Sequence, residues 1–144
     1  MASDTLLRLV RFAAAACEAR YAFVASARAD DGVAPASVQL WAARDFGLRI
    51  ECHTLDLGAG QNAPRVPVDF VSAMQRVWPD EEALQRLASA GTCICVPLLD
   101  GAGRLLGHLG ALDSGTACLY ARDRLPALAH VAAAQLLAWS TQSS

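Results

Sequence analysis

The chain has 144 residues, 54% of them hydrophobic and 18% charged, with five Cys and a formal net charge of −2. One domain of this length can bury its own core, and so apolar a composition excludes a largely disordered chain. A charge this near zero, with acids and arginines interspersed, leaves no basic face for nucleic acid and no acidic interaction tail. The expected unit is a single domain over 1–144, with its core over about 3–139 and a polar tail over 140–144. All basic residues are Arg and Ala is the commonest residue, a compositional bias that carries no information about activity.

The first seventeen residues resemble a leader only superficially. Asp4 precedes the apolar positions, and Arg8 and Arg11 interrupt what would be the uncharged centre of a signal. Leu6, Leu9 or Val10, Ala13 and Cys17 recur at helical spacing, so the stretch from Ser3 to Arg20 is expected to be an amphipathic helix. Ser3 is its expected N-cap, with Asp4 favourable in the first turn. No stretch reaches the roughly 18 uninterrupted apolar residues of a membrane span, and the expected location is the cytoplasm. The five Cys are odd in number and lie among apolar neighbours, so they are expected to be free, buried small hydrophobes rather than a disulfide framework.

Tyr21 to Ser26 opens the first predicted strand, with a turn signal at Asp30-Asp31-Gly32. Ala36 to Ala42 is the second, with Val38 and Leu40 on one face and Gln39 and Trp41 on the other. Asp45-Phe46-Gly47 is a turn, and Leu48 to Thr54 alternates as a third strand. Leu55 to Val68 shows no period. Asp69 to Val77 is a short helix ended by Pro79, and Asp80-Glu81-Glu82 opens another, with the acids facing solvent. Thr92 to Leu99 and Arg104 to Asp113 flank Asp100-Gly101-Ala102-Gly103, a β-hairpin signal. Pairing Leu99 with Arg104 sets Cys95 opposite His108 and Cys93 opposite Gly110. A last helix runs from about Asp123, where Pro126 is tolerable only in the first turn, with Leu125, Leu128, Ala132, Leu136 and Trp139 on one face. The order α-β-β-β-(α, α)-β-β-α with tight connections gives an α+β fold. Its central antiparallel sheet carries the terminal helices on one face and a loop or short-helix cap on the other.

Residues 92–113 also resemble the signature hairpin of the GAF domain. Val96-Pro97-Leu98, Leu106-Gly107-His108-Leu109 and Leu112-Asp113 match a strand ending in Val-Pro-Leu, followed by one that carries Leu-Gly and ends in Leu-Asp. The Ala-rich closing helix resembles the final helix of that family. Trp78-Pro79-Asp80 resembles the aromatic-Pro-Asp step of GAF modules in bacterial sensor kinases and cyclic-di-nucleotide enzymes. The resemblance implies a non-catalytic regulatory or sensory domain of bacterial signal transduction. It also implies a small-molecule pocket on the sheet face away from the helices, a homodimer through those helices, and a neighbouring output domain. Strand parity then makes Trp41, Cys93, Cys95 and His108 the candidate ligand-lining residues.

Cys93 and Cys95 share a strand face, and in the expected register His108 stands about 5 Å from Cys95 at Cβ. Thiolate and imidazole suit zinc, and a redox enzyme, redox sensor or metal sensor built on Cys93 and Cys95 is the alternative reading. A closed metal site needs a fourth ligand that the sequence does not supply, and i,i+2 Cys pairs lie at the outer edge of disulfide geometry. Cys52-His53 resembles a bilin attachment pair but falls within a strand, where the two side chains diverge. The Leu55–Ala90 stretch carries no Cys, unlike GAF enzymes that reduce methionine sulfoxide. A chain without Lys also cannot complete the Asn-Lys-Phe-Asp-Glu set of cyclic-nucleotide GAF domains. No enzyme activity, metal or cofactor is therefore expected.

Overall fold

The computed structural model describes residues 2–26, 37–56, 74–82, 84, 93–112 and 118–142. Helix α1 spans Ala2–Ala16, and five strands follow: β1 Tyr21–Ser26, β2 Ser37–Arg44, β3 Arg49–Asp56, β4 Cys93–Leu99 and β5 Leu105–Leu112. Helix α2, Cys118–Gln142, closes the described chain. The strands form one antiparallel sheet in the order β3-β2-β1-β5-β4. This is the expected α+β architecture. The predicted turn at Asp30-Asp31-Gly32, residues 57–68 of the aperiodic segment and residues 69–73 of the expected short helix lie outside the described residues.

Strand β1 lies at the centre, and all six of its residues are buried. Alternation sorts them onto two faces. Ala22 and Val24 join Trp41, Ala43, Leu98, Leu109 and Ala111 beneath both terminal helices, against Leu6, Val10, Ala13, Leu125, Ala132 and Leu136. Tyr21, Phe23 and Ala25 join Leu40, Ala42 and Leu112 on the opposite face, covered by Met74, Trp78 and Leu84. A helical turn over residues 74–77 thus supplies the cap on the side the helices leave open.

Several local expectations need correction. Helix α1 begins at Ala2, so Ser3 lies inside it and its hydroxyl accepts from the Trp41 indole N–H at 2.9 Å instead of capping the helix. The helix stops at Ala16, where a turn closed by Cys17 and Ala19 backbone N–H groups leads into β1. Helix α2 starts at Cys118, so Pro126 falls within its third turn. One backbone hydrogen bond is lost there. The helix continues because Leu125, Ala132 and Leu136 bury one continuous stripe against the sheet.

The β4–β5 hairpin has a three-residue loop. Asp100 N–H donates to the Arg104 carbonyl at 2.9 Å, and Gly103 takes a φ of +82°. A left-handed third loop residue adds the bulge typical of such loops, and glycine takes that conformation without strain. The Asp100 carboxylate accepts from the Ala102 and Arg104 backbone N–H groups and pins the turn. A second shift falls between Leu98 and Leu99. The register therefore moves by two residues from the expected one. Cys95 stands opposite Gly110, Pro97 opposite His108, and Cys93 opposite Leu112. A shift of two preserves which face each side chain takes.

Gly107 marks a close approach. A Cβ there would lie 2.2 Å from the Ala25 carbonyl oxygen and 2.7 Å from Leu136 Cδ2. The Leu-Gly step of β5 is thus a packing requirement: its missing side chain lets α2 settle on the sheet.

Candidate functional site

The four residues expected to line a ligand site do not come together. Trp41 is fully buried on the helix face, its indole edge against Trp139 with ring centroids 4.9 Å apart. The parity that places Leu40 on the cap face necessarily places Trp41 on the other. Cys95 and His108 do share the cap face, in register with Phe23 and Ala25 respectively. They are diagonal rather than opposite, which sets such pairs about 7–8 Å apart. Burial lowers the His108 pKa and keeps the ring neutral. Cys93 keeps its place in β4, and its side chain lies outside the described residues.

The remaining thiols also divide. Cys17 is buried, and burial raises its pKa, as expected of a small core hydrophobe. Cys52 corrects that expectation: it is exposed on edge strand β3, where the Gln39 amide donates to its sulfur at 2.7 Å. Among the described residues no group of three His, Cys, Asp or Glu side chains could hold a metal ion.

The densest polar constellation lies instead at the rim of the cap, and its residues sit far apart in sequence. Arg44 ends β2 directly opposite Arg49. Two like charges facing each other destabilise a strand pair, and the two side chains diverge. Arg49 lies 3.7 Å from the Asp45 carboxylate, whereas Arg44 turns inward to 16% exposure and donates from Nη1 to Glu81 Oε1 at 3.1 Å. The other oxygen of Glu81 accepts from the Tyr21 hydroxyl at 2.9 Å. Trp78 donates its indole N–H to Glu51 Oε2 at 2.5 Å, and the Arg44 guanidinium lies 5.0 Å from the centre of the Trp78 ring. Tyr21 stacks on Trp78 at 6.2 Å, and His53 Nε2 lies 3.6 Å from Glu51 Oε1.

Two carboxylates thus flank one partly desolvated guanidinium, with the Trp78 ring against it and Tyr21 stacked on that ring. Each bond involves an ionised partner and is stronger than a neutral pair. Burial pushes the Tyr21 hydroxyl well above its ordinary pKa, the Glu81 carboxylate pushes the same way, and Arg20 opposes both. Tyr21 therefore stays a proton donor to Glu81 throughout the physiological range. The Arg44 Nε is buried, and among the described residues nothing accepts a hydrogen bond from it; Glu51 Oε2 stands 3.7 Å away.

In the sequence Glu81 reads as a solvated helix start, and Arg44, Glu51 and Tyr21 carry no motif that marks a site. One available signal was parity: Tyr21 belongs to the Phe23 face, and Arg44 to the Leu40 and Ala42 face. The position of Glu81 against them depends on how the cap folds back, which no local pattern encodes.

No protein-family model, curated protein or solved structure matches the chain. The fold and the site define an α+β domain with a capped antiparallel sheet. No described helix is long and apolar enough to cross a membrane.

Proposed function

We propose that this chain is a non-catalytic regulatory domain of GAF type, which binds a small molecule on the capped face of its sheet. The observation that carries the reading is the cap itself. Met74, Trp78 and Leu84 cover an apolar sheet surface on the side away from both helices, and Glu81 and Trp78 fasten the cap to β1, β2 and β3. Apolar surface ringed by a few convergent polar groups is the usual makeup of a small-molecule site. The resemblance of the β4–β5 hairpin to the GAF signature supports the same reading, since Val96-Pro97-Leu98 and Leu106-Gly107-His108-Leu109 fall on adjoining strands. The domain would act in the cytoplasm of a bacterium and regulate an output domain such as a kinase or a cyclic-di-nucleotide enzyme.

A second copy of the chain is the proposed partner of the helices. Phe12 is 59% exposed on α1, and Val131 and Leu137 are exposed along α2. Phe12, Ala15, Ala16, Ala127 and Leu128 line a groove of about 580 Å³ between the two helices. Small residues beside large exposed ones let a further helix approach closely, and a twofold pairing would bury the patch on both copies.

Native mass spectrometry of the purified protein, repeated after denaturation, tests both parts. A dimer carrying a small molecule that is lost on unfolding is the expected result. A dimer with nothing bound would reduce the function to dimerisation, and a monomer would remove the helix-mediated partner.

A further inference from the structure

We propose that Arg44 and Tyr21 are the recognition pair for a carboxylate-bearing ligand with an apolar or aromatic body, and that Glu81 occupies their site as an internal stand-in. The inference rests on the reading of the capped sheet face as the ligand side.

Three observations converge on it. First, the Glu81 carboxylate is held as a bound carboxylic acid would be, with one oxygen on a partly buried guanidinium and the other on a phenol hydroxyl. Arg20 also lies close enough to oppose the rise in the Tyr21 pKa, so a second cation borders the same spot. Second, the engagement is incomplete. Glu81 bonds one nitrogen of Arg44, and the buried Nε makes no hydrogen bond among the described residues. A buried donor with an unmade bond carries a standing desolvation cost. A carboxylate not tied to the cap could take two guanidinium N–H groups in parallel, the stronger arrangement. Third, the exchange conserves charge. The ligand carboxylate takes the place of the Glu81 carboxylate on Arg44 and Tyr21, while Glu51 stays beside Arg44, so no anion is added there.

The same contact that seats Glu81 holds the cap, which links binding to movement. A ligand carboxylate that takes over Arg44 and Tyr21 releases Glu81, one of the two fastenings of the cap; Trp78 must also leave Glu51 for Phe23, Leu40 and Ala42 to be uncovered for the apolar body. The two states differ by which carboxylate is bound, and a ligand shifts them only by that differential affinity.

Phenylacetate and its uncharged analogue phenylacetamide are suitable probes, titrated into the wild type, Glu81→Gln, and the double variant Glu81→Gln/Arg44→Met by isothermal calorimetry. Circular dichroism checks that each variant folds, and Arg44→Lys, which keeps the charge, replaces Arg44→Met if the double variant does not. Removing the competing charge should tighten phenylacetate binding at least tenfold in Glu81→Gln. Arg44→Met should abolish that gain, Arg44→Lys should reduce it by losing the paired N–H contacts while keeping the charge, and phenylacetamide should not distinguish the proteins. If both probes bind all three proteins equally, the carboxylate site is overturned while the sheet face remains a ligand surface. Binding of neither probe to any protein overturns the carboxylate site and counts against the ligand-binding reading as well.

Discussion

The guanidinium of Arg44 lies 5.0 Å from the centre of the Trp78 ring, while the indole N–H of Trp78 reaches past it to Glu51 at 2.5 Å. Arginine, ring and carboxylate therefore join two strands to the cap in one contact. Trp78→Phe keeps an aromatic ring against Arg44 and removes the bond to Glu51 together with the pyrrole part of the buried indole. Its expected cost is about 1.5–3 kcal/mol, the range for a hydrogen bond to a charged group. Trp78→Ala also vacates the cap and should cost about 3–5 kcal/mol. Urea denaturation of both variants checks the order.

Gly107→Ala probes the seat of α2. The added methyl would meet a backbone carbonyl of β1, which cannot rotate away, as well as Leu136. Overpacking of this kind costs about 1–3 kcal/mol or more, and the rigid backbone contact puts this variant at the top of that range. Thermal unfolding should show a large drop, with Leu136→Ala giving no rescue because the Ala25 carbonyl remains in the way.

Acid should weaken the fold through His108. Burial lowers its folded pKa, so the unfolded chain binds more protons below the ordinary histidine value of about 6.5. Stability is then fully present above about pH 6.5 and is lost as pH falls toward the lowered folded value. Denaturation midpoints at pH 7.5 and 5.5 should differ more for the wild type than for His108→Gln.

Alkali should act through Tyr21 with the opposite sign. Its folded pKa is raised, so the folded chain holds the proton more tightly than the unfolded one. Stability should decline as pH rises above about 10, the ordinary tyrosine value. Tyr21→Phe removes that slope. It also costs stability at pH 7, because Glu81 loses a donor; denaturation at pH 8 and pH 10.5 separates the two effects.

Much of this architecture is legible in the residues, for identifiable reasons. The first strand starts at Tyr21 as expected, and its expected end before Asp30 lies outside the described residues. The Asp100–Gly103 segment announces a hairpin, yet the register slips by two because a left-handed Gly103 and an irregularity at Leu98/Leu99 each add a residue on one side. Local spacing carries no sign of either. Trp41 lies in the strand its alternation implies, but parity alone does not say which face the helices cover. The Arg44 cluster is the least legible part. It assembles Tyr21, Arg44, Glu51, Trp78 and Glu81 from three strands and the cap, and only the folded chain brings them together.

Arg44 fastens the cap to the sheet, and hydrogen exchange read by mass spectrometry tests that role most directly. In Arg44→Met, the peptide spanning Met74 to Leu84 should exchange roughly tenfold faster or more, as expected when a charge-assisted bond of about 1.5–3 kcal/mol is lost. Protection in β4 and β5 should stay at the wild-type level. Unchanged protection of the Met74–Leu84 peptide, or an equal loss across the whole sheet, would contradict a latch at Arg44.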